Sequence, residues 1–141
     1  NGAKHILVMN LPPFHYGALM SPFKEQAKHF IDDFNQTLER ELARNGSKQY
    51  RTANIMLLDV YAFWENMAQK IAADGVYHHP GTQIYIRYPR ASAWDFENNV
   101  IANNPNEYVF WDGLHPTASV HQLLAIEAEA LLAQQGIIPV N

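Results

Sequence analysis

Asp112 and His115 are the two residues of this chain whose types and spacing could do chemistry. They lie in Tyr108-Val109-Phe110-Trp111-Asp112-Gly113-Leu114-His115-Pro116-Thr117, directly after an aromatic run and directly before a helix. A carboxylate three residues ahead of an imidazole can hold one ring nitrogen and leave the other to take a proton from a nucleophile. That is the acid and base half of a catalytic triad. The ordinary alternative is an aspartate helix cap beside a surface histidine. Three features favour the catalytic reading: aromatic residues that would line the pair with low dielectric, a Gly113 that permits a tight turn, and a helix opening on His-Pro-Thr.

A nucleophile to complete the triad is not apparent. The serines are Ser21, Ser47, Ser92 and Ser119. Ser21 reads as a helix cap, Ser47 follows a turn glycine, and Ser92 lies in a loop. Ser119 sits about one helical turn after His115, where a helix-interior hydroxyl lacks the backbone donors an oxyanion hole needs. No Gly-x-Ser-x-Gly elbow is present. The neighbouring pair His78-His79 could suggest a metal, but adjacent side chains on an extended segment point to opposite sides and rarely chelate one ion. His121 falls on a different helical face from His115. His5, His15 and His29 carry no supporting pattern. Asp59, at the C-terminal end of a strand, reads as a cap for the helix that follows.

The elements that must position Asp112 and His115 follow from periodicity. Residues 4–10 (KHILVMN) and 54–60 (NIMLLDV) are near-continuous apolar runs, expected as strands buried on both faces of a parallel sheet. After Leu11-Pro12-Pro13 comes a loop, and Ser21-Pro22 predicts a helix start. Phe23, Ala27, Phe30, Phe34, Leu38 and Leu42 recur at helical spacing until Asn45-Gly46 ends the stripe. A second helix is expected over 61–73, with Trp64, Met67, Ala68 and Ile71 inward and Gly75 closing it. Residues 82–88 (TQIYIRY) alternate as an edge strand or an extended loop. Residues 98–106, rich in Asn, are expected as surface loop. A last helix runs from Pro116 to about Gln134, with Val120, Leu123, Leu124, Ala128 and Leu131 inward. Strand and helix in alternation predict an α/β fold. Two parallel strands and three helices make a thin sheet, and the run at 4–10 has nothing before it to pair with. The expectation is a single partial domain over residues 1–141, completed by strands from elsewhere.

Composition bounds the function classes. The 141 residues carry a net charge of −4, with 48% hydrophobic and 17% charged residues. That composition suits a globular domain and argues against disorder. A chain of this length buries roughly 68–70% of its unfolded surface. The absence of a basic block argues against nucleic acid as a partner. With no cysteine there is neither a disulfide nor a thiolate metal site in the chain.

The string Phe110 to Thr117 resembles the final motif block of the GDSL, or SGNH, family of lipases and esterases. Other blocks match in order. Residues 7–14 (LVMNLPPF) are similar to the family strand ending in "NLPP", Phe34-Asn35 to its "FN", residues 54–61 (NIMLLDVY) to its "D-x-Y/F" strand, and His121 to the "HPTxxxH" variant. The resemblance spans nearly the whole chain but only the C-terminal half of the family domain. It implies the C-terminal part of a three-layer α/β/α, flavodoxin-like parallel sheet. It implies that Asp112 and His115 are the acid and base of a serine ester hydrolase that needs no metal or organic cofactor. The Gly-Asp-Ser nucleophile and the Gly-x-Asn-Asp oxyanion donors are absent here. The expected partner is therefore an N-terminal portion of the same protein, separated by proteolytic nicking in a loop. Bacterial secreted phospholipase A, lysophospholipase and glycerophospholipid–cholesterol acyltransferase relatives are the most similar. They imply a lipid ester substrate, secretion and transient contact with a membrane surface, and the loop at Phe14, Tyr16, Leu19 and Met20 would wall an acyl cleft. The runner-up from another class is a non-catalytic α/β interaction module with the same fold.

Overall fold

The computed structural model describes residues 2–45 and 53–139. Strand β1 (His5–Met9) pairs in parallel with β2 (Asn54–Leu58), in the register His5 opposite Asn54 through Met9 opposite Leu58. Between them run two 3₁₀ turns (Phe14–Tyr16 and Ala18–Phe23) and the helix α1 (Lys24–Asn45). Helix α2 (Val60–Asp74) follows β2 directly. A parallel pair joined by a helical crossover is what two branched apolar runs flanking an amphipathic stripe dictate.

Beyond α2 the chain forms short strands. The pair β3 (Tyr77–His78) and β4 (Tyr85–Ile86) is antiparallel, and β5 (Tyr88–Ser92) lies parallel to β8 (Tyr108–Phe110). Strands β6 (Trp94–Asp95) and β7 (Val100–Ile101) form a small hairpin, and a 3₁₀ turn at Pro105–Glu107 leads into β8. Helix α3 (Ala118–Gln134) closes the fold. The fold is mixed α/β. Among the described residues the parallel pairs β1–β2 and β5–β8 belong to separate two-stranded sheets.

The core lies between α2, β8 and α3. Trp64 and Met67 of α2, Val109 and Phe110 of β8, and Val120 and Leu123 of α3 are all buried there, with the Trp64 and Phe110 rings 5.5 Å apart. Each such aliphatic or Phe side chain contributes roughly 1.5–3 kcal/mol on full burial. This core holds the two elements that flank the Asp112–His115 segment, β8 before it and α3 after it.

Helix α2 meets its expectation closely. Asp59 caps it, accepting from Ala62 N–H at 2.9 Å, and Gly75 ends it at φ 76° with its N–H on the Ile71 carbonyl. Other expectations need correction. Ser21 and Pro22 do not start α1; they sit inside a 3₁₀ turn, and the α-helix begins at Lys24. The Phe stripe of α1 is not its buried face. Phe30 and Phe34 are exposed (59% for Phe30), as is Phe23 just before the helix, whereas Ile31, between Phe30 and Phe34, is fully buried. Strand β1 is likewise not buried on both faces, since His5, Ile6 and Met9 are exposed and its one strand neighbour among the described residues is β2. The common cause is that none of the described residues covers that side. The loop expected at 98–106 contains β7 and a 3₁₀ turn, and residues 82–88 divide between β4 and the start of β5. Gly46 and Ser47 lie outside the described residues.

Candidate active site

The segment between β8 and α3 is closed at its base by backbone. Phe110 bridges Pro116, Trp111 N–H donates to the His115 carbonyl at 2.7 Å, and Thr117 N–H donates to the Val109 carbonyl at 2.9 Å. The Thr117 hydroxyl donates to the Tyr108 carbonyl at 2.7 Å, so this buried threonine ties the helix start to the strand instead of capping α3. Within the closed loop Asp112 uses both carboxylate oxygens. Oδ1 accepts from the backbone N–H of Leu114 (2.8 Å) and of His115 (2.7 Å), an Asx-turn arrangement. Oδ2 accepts from His115 Nδ1 at 2.8 Å.

Burial by itself raises the Asp112 pKa, but the His115 amide, the His115 ring and the Leu114 amide together outweigh it and hold the carboxyl below its ordinary value. The acid is thus kept ionised. Because a carboxylate only accepts, the proton at Nδ1 is fixed and Nε2 is left as the basic nitrogen. Asp112 is largely covered, with 20% of its side chain exposed, while the His115 ring is 72% exposed. The aromatic run therefore does not enclose the imidazole as expected. Phe110 goes into the core, and Trp111 is exposed. Helix α3 begins at Ala118, so His115 precedes it and its position relative to Ser119 and His121 is not set by helical spacing. Among the described residues, no serine hydroxyl hydrogen-bonds the His115 ring.

The loop after β1 braces this turn from the other side. Leu19 N–H donates to the Gly113 carbonyl at 3.2 Å. A Cβ on Gly17 would overlap that carbonyl, and a Cβ on Gly113 would lie 2.6 Å from Leu19 N. Two glycines therefore let two backbones touch, a close approach closed to any residue with a side chain. The loop is in turn clamped at its root. Asn35 of α1 accepts from Leu11 N–H (2.8 Å) and donates to the Leu11 carbonyl (2.9 Å). Buried Asn10 donates to Asp59 Oδ1 (2.7 Å) and accepts from Tyr61 N–H (3.0 Å). Tyr16 donates to Glu65 at 2.7 Å beneath the Arg90 guanidinium, and burial with that carboxylate pushes its pKa up to about 12. His15 is buried next to Tyr16, and burial lowers its pKa. Of the expected cleft wall, Leu19 reaches the Asp112 turn and Tyr16 anchors the loop.

The sequence argument missed Asn35, Gly17 and Thr117 as positioning residues. The first carried a signal, since Phe34-Asn35 is similar to the family's "FN". His78 stacks on Tyr85 at 4.5 Å, and His79 faces Glu127 at 3.7 Å, so the pair diverges.

A family model described as GDSL-like lipase/acylhydrolase matches residues 1–128. The chain belongs to the GDSL-like lipase/acylhydrolase family. In this family member the dyad, the loop from Asn10 to Leu19 and the Asn35 clamp all fall inside the matched residues. A sinapine esterase from Brassica napus is 28% identical over 104 residues, which is 68% of this chain. The same match spans 27% of that esterase.

Proposed function

We propose that this chain supplies the acid and base of a serine ester hydrolase, with the nucleophilic serine and oxyanion hole contributed by an N-terminal portion carrying a Gly-Asp-Ser motif. The observation that carries the reading is the 2.8 Å bond from His115 Nδ1 to Asp112 Oδ2 in a chain of this family. His115 Nε2 takes the serine proton as Oγ attacks the ester carbonyl, and it gives that proton to the departing alkoxide. Water then repeats the cycle on the acyl-enzyme. Asp112 holds the tautomer and stabilises the imidazolium between the two proton transfers.

Support for an outside nucleophile comes from three sides. Among the described residues the dyad has no serine partner and β1 has an unpaired edge, while α1 turns Phe30 and Phe34 outward. A neighbouring strand and layer from the N-terminal portion would complete a three-layer α/β/α arrangement. For the substrate we favour a lipid acyl ester of the phospholipase A or lysophospholipase type, with transfer to a sterol as a variant, in a secreted protein. Exposed Leu19, Phe96 and Trp111 near the Asp112 turn support an apolar substrate over a sugar ester.

The test is labelling of the intact protein with a fluorophosphonate, followed by peptide mapping. Label on a serine within Gly-Asp-Ser, sharply slowed by His115→Ala, together with release of fatty acid from phosphatidylcholine vesicles, is the expected result. No label and no ester turnover would instead indicate a non-catalytic module.

A further inference from the structure

A pocket of about 370 Å³ opens against the Asp112 turn, bounded by Gly113, by Leu19 of the bracing loop, and by Trp94 and Phe96 of the β6–β7 hairpin. It is joined to the dyad through backbone. Trp94 N–H donates to the Trp111 carbonyl at 2.7 Å, and Trp111 N–H donates to the His115 carbonyl at 2.7 Å. The Trp94 ring lies 6.5 Å from that of Trp111 and 6.4 Å from that of Phe96. The hairpin is rigid where it matters. Asp95 accepts from Glu97 N–H (3.1 Å) and Asn98 N–H (3.2 Å) on Oδ1 and from Asn98 Nδ2 (2.8 Å) on Oδ2. Its carboxylate is therefore spent on the turn, and apart from Ser92 and Glu97 the side chains left for a ligand are hydrocarbon and aromatic. The volume falls in the range of small-molecule sites, roughly 300–1,000 Å³. The carboxylates of Asp95 and Glu97 at the rim disfavour an anion.

We infer that this pocket is the subsite for the uncharged hydrocarbon arm of the ester, aliphatic or aromatic, and that Trp94, Phe96 and Leu19 hold that arm by apolar contact. The inference rests on the hydrolase reading for its chemistry but on the pocket for its location. A group seated between Trp94 and Leu19 lies against the Gly113 backbone, one residue from the acid of the dyad. An arm held there would bring its attached carboxyl carbon toward the imidazole, which is how remote binding serves the reacting centre. The arm belongs to the acyl side or the alcohol side, and two substrate series separate these.

The experiment uses the intact protein with Trp94→Ala, Phe96→Ala and Ala18→Trp, the last at an exposed position bordering the pocket. One series is p-nitrophenyl esters from acetate to decanoate; the other is acetates from methyl to octyl. The expected result is that the preference for the long member over the short one, as a ratio of kcat/KM, falls about tenfold or more in one series. Ratios unchanged within about twofold in both series, for all three variants, overturn the proposal. Binding of 1-octanol, followed by saturation-transfer NMR, gives a readout independent of turnover. If the wild type cleaves no ester, yet octanol binding is lost in Phe96→Ala and Ala18→Trp, the hydrolase reading falls and the pocket stands. Octanol binding indifferent to both variants removes the pocket.

Discussion

Asp112 makes three polar bonds, and the residues at their other ends are Leu114 and His115. Its two roles, holding the turn and orienting the imidazole, are therefore separable by mutation. In the intact protein, His115→Ala should lower kcat on a p-nitrophenyl ester by roughly 10⁴ to 10⁶, and Asp112→Asn by roughly 10⁴. Asp112→Asn also exposes the pH linkage. The folded pKa of Asp112 lies below its ordinary value, so its stability contribution is fully present above the ordinary carboxyl range and is lost as pH falls through the depressed value. Melting temperatures measured from about pH 6 down to about pH 3 should fall less steeply in the variant than in the wild type. An equal slope would show that the local amides do not act through this carboxylate.

The loop after β1 and the Asp112 turn behave as one unit because Gly17 and Gly113 meet backbone to backbone. That unit hangs from α1 by the paired bonds between Asn35 and Leu11. Asn35→Ala leaves the Leu11 N–H and carbonyl unpaired in a half-buried place and should cost roughly 1–3 kcal/mol in urea denaturation. Gly113→Ala would set a Cβ 2.6 Å from the Leu19 backbone nitrogen, so it should lower both the melting temperature and ester turnover. At this scale much was legible in the sequence. Asp59, Gly75 and the inward positions of α2 followed from caps and periodicity, since those signals are local. The Ser21-Pro22 start of α1 did not hold, because the chain there tightens into 3₁₀ geometry before the helix proper. The dyad was legible because its two members are three residues apart. Its bracing was not, because Gly17 and Asn35 act across long sequence separations that periodicity does not encode. Trp94 and Phe96 carried only their aromatic character, and their place beside Gly113 depends on how β5 pairs with β8.

For the molecule as a whole, the informative residues are apolar ones that stay wet. Phe30 and Phe34 face solvent on α1 with their rings 6.4 Å apart, and Ile6 and Met9 face solvent on β1. The Phe stripe was correctly read as amphipathic, but amphipathicity gives the apolar side of a helix and not the body it packs on. With the proposed N-terminal portion present, Phe30→Glu combined with Phe34→Glu should destabilise the assembled protein. In residues 1–141 expressed alone the same pair should improve solubility. Thermal melts of the intact protein and sedimentation of the fragment check the two halves of that expectation. The reverse pattern would make the stripe an ordinary tolerated surface.

The self-sufficiency of the Asp112 turn has a practical side. The polar bonds between the carboxylate and the imidazole all arise within residues 112–115, so the pair carries its alignment wherever β8, α3 and the loop bracing Gly113 are held together. A hydrolase whose base arrives pre-aligned on one piece of polypeptide can be divided between two chains. Each piece would be silent alone, and recombination would generate signal from a chromogenic ester. The chain would then serve as one arm of a split reporter for protein association, with turnover reading out proximity.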